Sequence, residues 1–276
     1  MVTQAIIPLA GLGTRLLPLS SVIPKELLPI NGKPNLEYIM EECIQAGIKQ
    51  FIFVVPKNRP SIKKYFFNDN FYKKIIKKKK NDNRLKYVFK RIKRYQKMIK
   101  FVYQNKPDGT GAAVLKCKKY LKDKHFLMLL ADDLIVKKNC SKEMISLHKK
   151  TKGSIIATRK VERRTVSRWG ILGVKNKKKH SFSINSVIEK PKLKEAPSNY
   201  AIIGRYILPK KILSVLKNQK KGRGGEIHIT DAIKTLIERG EKFYGNIFRG
   251  KYLDSGTLET VSYTHLRAHE TPEHLG

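Results

Sequence analysis

The stretch Ala5-Ile6-Ile7-Pro8-Leu9-Ala10-Gly11-Leu12-Gly13-Thr14-Arg15 decides how the chain is read. Ala5 to Ala10 is apolar at successive positions, as a parallel strand buried on both faces must be. A glycine loop follows and ends on a cation. Further along, Pro34 is placed to open a helix at its first position and Gly47 to close it. Between them Leu36, Ile39, Met40, Cys43 and Ile44 fall on one helical stripe. Phe51-Ile52-Phe53-Val54-Val55 then supplies a second buried strand. Strand, glycine loop, helix, strand is a βαβ unit with a parallel sheet.

The alternation continues downstream. Phe101 to Gln104 reads as a strand, Gly109-Thr110-Gly111 as a tight loop into a helix through Val114 and Leu115, and Phe126 to Leu130 as the most apolar strand, ending at Asp132-Asp133. The later part is richer in strands, at Ser154–Thr158, Ile171–Val174, Ser186–Glu189 and Ala201–Leu208. Thr230 is expected to cap a helix carrying Ile233, Leu236 and Ile237, closed by Gly240. Residues 73–100 are dominated by lysine, yet Leu85, Val88, Phe89, Ile92 and Ile99 keep a helical spacing. They read as a solvated amphipathic helix inserted at the sheet's edge, with an RNA-binding arm as the alternative.

With 276 residues, 41% of them hydrophobic, the chain has enough apolar surface for a real core, which excludes wholesale disorder. No apolar run reaches the roughly 18 residues of a membrane span. Met1 to Ala10 has neither a basic leader region nor a cleavage site, and Cys43, Cys117 and Cys140 form no metal spacing or disulfide framework. The expected location is the cytoplasm, with no membrane partner. A formal charge of +37 would attract any polyanion. The basic residues spread along the whole chain, however, and they accompany many Ile, Asn, Phe and Tyr, all encoded by A/T-rich codons. Compositional drift accounts for that pattern better than a nucleic-acid partner does.

In a doubly wound sheet, ligands bind at the carboxyl ends of the strands. Gly11 to Arg15, Gln104 to Gly111, and Asp132 all fall there. The first loop lets backbone amides approach a phosphate. It lacks the Gly-Lys-Ser/Thr ending of a Walker loop, and Leu16 stands where a dinucleotide fingerprint needs a third glycine. Arg15 suits the charge of a triphosphate. Lys25, one lysine among many, carries little weight by itself. Asp132 at the end of a buried strand needs a partner for its charge; a metal-bound nucleotide would serve, and a helix cap or turn is the alternative.

Ala10-Gly11-Leu12-Gly13-Thr14-Arg15 followed by Pro24-Lys25-Glu26-Leu27-Leu28-Pro29 resembles the signature of bacterial UTP–glucose-1-phosphate uridylyltransferases. Leu130-Ala131-Asp132-Asp133, Ser167-Arg168-Trp169-Gly170-Ile171, Ile188-Glu189-Lys190-Pro191, Pro197-Ser198-Asn199-Tyr200 and Gly225-Glu226-Ile227-His228-Ile229-Thr230-Asp231 extend it in order, over about residues 4–258. The resemblance implies an α/β fold: a Rossmann-like, mixed, mainly parallel sheet flanked by helices, of the nucleotide-diphospho-sugar transferase type, with a strand-rich sugar-binding half. It implies that UTP and glucose 1-phosphate are the substrates and that the enzyme is a homo-oligomer if its C-terminus is intact. It places Ala10, Gly11, Leu12 and Gly13 on the base and ribose, with Gln104 and Gly109 completing the uracil pocket. Arg15 and Lys25 would bind the triphosphate as the catalytic pair, and Asp132 and Asp254 would hold Mg²⁺. Gly170, Glu189 and Gly204 would contact sugar hydroxyls, and Lys190 the sugar phosphate. Trp169 is expected to pack beside that site.

Three departures stand out. Ala112 replaces a usual histidine, and Tyr252-Leu253-Asp254-Ser255-Gly256-Thr257 is closer to the thymidylyltransferase form, which keeps dTTP open as the nucleotide. Residues 261–276 match nothing expected and are read as a tail outside a nucleotidyltransferase domain at 4–260.

Overall fold

The computed structural model describes residues 1–256; the expected tail at 261–276 lies outside them. The chain begins with strand β1 (Gln4–Pro8). Three single turns of 3-10 helix lead to a hairpin of β2 (Pro29–Ile30) and β3 (Lys33–Pro34), then helix α1 (Asn35–Gln45) and β4 (Gln50–Val55). Helices α2 (Ser61–Phe67), α3 (Asp69–Lys78) and α4 (Asn83–Met98) precede β5 (Ile99–Tyr103). Next come α5 (Thr110–Lys116), β6 (His125–Leu129), β7 (Asp133–Val136) and α6 (Cys140–Thr151). The rest comprises β8 (Ser154–Lys160), β9 (Gly170–Lys175), β10 (Ser181–Glu189), β11 (Tyr200–Pro209), α7 (Ile212–Asn218), α8 (Ile229–Glu238), β12 (Phe243–Ile247) and β13 (Lys251–Asp254).

Nine strands form one sheet in the order β5-β4-β1-β6-β11-β8-β12-β10-β9. The first four are mutually parallel. They need helical crossovers, and those helices bury both sheet faces. Side-chain alternation then divides the core. Ala5, Ile7, Phe51, Phe53 and Val55 face a layer with Leu36, Ile39 and Met40 of α1, whereas Ile6, Ile52, Val54 and Met128 face Val114, Leu216 and Ile233 on the opposite side. Beyond β6 the sheet turns mixed, because β11 runs antiparallel to both β6 and β8. A separate two-stranded ribbon pairs β13 with β7, bringing Asp254 opposite Asp133.

Two local readings change. The lysine-rich stretch is two helices: α3 ends at Lys78, and Asp82 caps α4 by accepting from the Leu85 N–H at 3.0 Å. Ile92 and Tyr95 are its buried anchors, and Ile99 already belongs to β5. In α8 the capping position is His228, not Thr230, whose hydroxyl is buried in the first turn without a hydrogen-bond partner among the described residues. Gly240 does close that helix, its N–H bonding the Ile237 carbonyl.

Candidate active site

Because β1, β4, β5 and β6 run in parallel, Pro8, Val55, Tyr103 and Leu129 end on one edge, and the loops that follow them converge. After β1 the chain folds back at Gly13, which sits at φ 67°, where a Cβ would lie 3.2 Å from Ser20 Cβ. The Ser20 hydroxyl donates to the Gly13 carbonyl at 2.8 Å, and fully buried Leu16 anchors the turn. Gly11 faces open space, and Leu12 is exposed. A hollow lies between Gly11–Gly13, Lys25–Glu26 and Pro56–Arg59, and a second one leads past Leu12 and Ala10 to Gln104 and Pro107. Gly109, at φ 97°, admits no side chain: a Cβ would come within 2.6 Å of the Ile227 carbonyl oxygen. The Ile227 N–H donates to the Asp108 carbonyl and the Gly111 N–H to the Ile227 carbonyl, both at 2.8 Å. The loop carrying Gly109 is therefore clamped against Ile227, just past Pro107 at the rim of the second hollow.

At the mouth of the glycine loop, Lys25 Nζ lies 2.6 Å from Asp132 Oδ2 and Arg15 Nη2 lies 3.8 Å from the same oxygen. Burial would push the Asp132 carboxyl up, but the Lys25 ammonium and its hydrogen bond, with the Arg15 charge, hold it below the ordinary range. Burial likewise opposes the Lys25 charge, and Asp132 more than offsets it. Asp132 is thus a carboxylate. A Cβ built on Gly256 would lie 3.0 Å from both Arg15 Nη2 and Asp254 Oδ1, so that guanidinium and the two aspartates converge. Among the described residues, no three His, Cys, Asp or Glu side chains form a closed metal cage. Two carboxylates nevertheless suit a hard divalent cation that takes its other oxygens from phosphate and water. The donor set fits such an ion.

The remaining predicted residues lie on β11, and on β9 and at the end of β10 beyond it. Glu189, ending β10, pairs in register with Gly170, and a Cβ at Gly170 would approach Glu189 Oε2 to 3.1 Å and Thr230 Cγ2 to 3.5 Å. Lys190 adopts φ 45° with its N–H on the Trp169 carbonyl. Trp169 packs edge-on to Tyr252. Tyr206 links this group to the aspartates: burial, then the charges of Glu189, Asp133 and Asp132, push its phenol up. Gly204 is closed in. Its N–H donates to Asp133 Oδ2 at 2.9 Å, its carbonyl accepts from the Leu130 N–H, and a Cβ would strike Asp133 at 2.4 Å. Its backbone groups serve the strand end beneath the site.

The nucleotidyl transferase family model matches residues 4–270. The chain belongs to the nucleotidyl transferase family. UTP–glucose-1-phosphate uridylyltransferase 2 of Staphylococcus saprophyticus is 37% identical over 256 residues, covering 92% of this chain and 88% of that protein. Its Streptococcus pyogenes (serotype M3) namesake is 36% identical over 261 residues, covering 92% and 86%. Among solved structures, UTP-bound UGPase from Acinetobacter baumannii superposes with a TM-score of 0.88 at 31% identity, over 99% of this chain and 95% of that one. A UDP-glucose pyrophosphorylase complexed with UDP-glucose gives 0.84 at 31% identity, over 98% and 99%.

Within this nucleotidyl transferase, the sequence reading passed over several residues that the fold brings to the site. Arg59 borders both hollows; its signal was its place just past the strand Phe51–Val55, where ligand loops emerge. Glu26 is 2% exposed, and burial pushes its carboxyl up to about 7. Its Oε1 has no hydrogen-bond partner among the described residues. Asp133 accepts from the Tyr252 hydroxyl at 2.5 Å; burial and the Asp132 charge push its carboxyl up to about 6. It braces the ribbon under the two candidate metal ligands. No helix of the described residues is long and apolar enough to cross a membrane.

Proposed function

We propose that the chain transfers a uridylyl group from UTP to glucose 1-phosphate, giving UDP-glucose and pyrophosphate, with Mg²⁺ on Asp132 and Asp254. The observation that carries this reading is the convergence of Lys25, Arg15 and Asp132 beside the glycine loop, in a chain that aligns with uridylyltransferases over nearly its whole length. A phosphate oxygen of the sugar attacks the α-phosphorus in line. The α-phosphorus bond to the bridging oxygen breaks, and its electron pair leaves on pyrophosphate. The attacking phosphate is already ionised, so no protein base or nucleophile is needed. The bound Mg²⁺ would supply charge neutralisation at the triphosphate. Arg15 and Lys25 add fixed positive charge where negative charge accumulates. Glu189 and Gly170 hold the sugar, and Lys190 its phosphate, near the reacting phosphorus.

Ala10–Gly13, Gln104 and Gly109 bind the nucleoside, and the unpaired Glu26 oxygen offers an acceptor for a ribose hydroxyl. A site built to accept a hydrogen bond from a substrate hydroxyl rejects the analogue that lacks it, which favours UTP over dTTP. The three buried free cysteines suit a reducing compartment such as the cytoplasm. Pyrophosphate release with glucose 1-phosphate, Mg²⁺ and each nucleoside triphosphate in turn tests the reading. Lys25→Ala and Asp132→Ala should each lower kcat by roughly 10²–10³. Full activity in either variant would remove that residue from the mechanism.

A further inference from the structure

Asn35 joins three functional segments that are far apart in sequence. It is the first residue of α1 and only 1% exposed. Its backbone N–H donates to the carbonyl of Leu28, the residue that ends the 3-10 turn carrying Lys25, and so closes the β2–β3 hairpin. Its side-chain Nδ2 donates to the Ala131 carbonyl and to Ser255 Oγ, both at 2.6 Å. Ser255, itself 3% exposed, donates from Oγ and from its backbone N–H to the Asp132 carbonyl, at 2.8 and 2.9 Å. The β7–β13 ladder ends at the pair Asp133–Asp254, so Asp132 and Ser255 lie just past regular pairing. These side-chain bonds continue it. The acceptors of the Asn35 and Ser255 side chains are Asp132 itself or neighbours in the chain of Asp132 and Asp254.

Asn35 is also costly where it stands. Its Oδ1 is buried with no hydrogen-bond partner among the described residues, and an unpaired buried acceptor destabilises a fold. An apolar residue at the helix start would avoid that penalty. A side chain held despite it points to the geometry it imposes.

We propose that Asn35 and Ser255 are positioning residues that fix the Asp132 and Asp254 carboxylates at the spacing a nucleotide-bound divalent cation requires. This rests on the functional reading above. The test is Mn²⁺ binding to the protein with UTP, read from the free-ion signal by electron paramagnetic resonance, beside a thermal melt. Asn35→Leu and Ser255→Ala should each weaken Mn²⁺ binding about tenfold, as loss of an outer-shell partner commonly does. The double variant should be little worse than either single one, because the two residues act through one another. Ser255→Thr, which keeps the hydroxyl, should restore affinity to within about twofold and guards against a variant that merely fails to fold. An unchanged Mn²⁺ affinity in a folded Ser255→Ala protein would overturn the proposal. Turnover by the wild type reports the functional reading separately: silence with UTP would sink that reading, whereas Mn²⁺ binding can be measured without turnover.

Discussion

Glu26 is held at the price of stability, and pH exposes the cost. Burial raises its carboxyl from an ordinary 4.5 to about 7. Between those values the folded protein keeps a proton that the unfolded chain has lost. Stability therefore falls as pH rises from about 4.5 to 7 and stays lower above that range. Glu26→Gln removes the titration. Without nucleotide, its stability relative to wild type should rise between pH 5 and pH 8 by on the order of 2–3 kcal/mol. Melting temperatures at the two pH values measure this, and a constant difference would show that Glu26 is not the titrating group. With UTP and 2′- or 3′-deoxy-UTP, the same variant should lose discrimination between the ribose and deoxyribose forms. An unchanged ratio for both analogues would remove Glu26 from the ribose site.

At the scale of elements, the loop before α5 and the segment before α8 behave as one piece. Gly109 and Gly111 are pressed against Ile227, and Lys221 reaches Asp108 at 3.7 Å across the same junction. Gly109→Ala should raise KM for UTP, because the added methyl must displace the Ile227 backbone and φ 97° strains any L side chain. A variant with unaltered KM would mean that the loop does not shape the nucleotide pocket. Elements with a strong local pattern were legible from sequence: Phe51–Val55, the α1 stripe and the strand at Phe126 all occur where expected. The break between α3 and α4 was obscured because lysine dominates both sides and the signal is only Asn81-Asp82-Asn83. The ribbon of β7 and β13 had no local signal, since its pair Asp133 and Asp254 is far apart in sequence. The Asn35–Ser255 bond, 220 residues apart in sequence, lies equally beyond periodicity or spacing. Sequence could mark Arg15, Lys25 and Asp132 one at a time; only the sheet brings them onto one oxygen.

For the whole molecule, a buried ion pair joins the layers. Arg205 is fully buried on β11; its Nη2 lies 3.1 Å from Glu42 Oε2 on α1, and its Nη1 donates to the Leu130 carbonyl. Glu42 accepts in turn from the Ser141 N–H and hydroxyl. Arg205→Ala should cost roughly 3–5 kcal/mol, because it strands the Glu42 charge, whereas Glu42→Leu with Arg205→Met should cost far less. Chemical denaturation of the three proteins tests this, and equal losses would mean the pair is not the coupling element.

The central claim concerns the chemistry at the carboxyl edge of the sheet, and the most direct measurement is pyrophosphate release from purified protein with glucose 1-phosphate, Mg²⁺ and UTP, dTTP, GTP, CTP or ATP. Wild-type protein should release pyrophosphate with UTP and little with the others, and Lys25→Ala and Asp132→Ala should lose that release. Folded protein that releases no pyrophosphate with UTP, or that prefers dTTP, would contradict it.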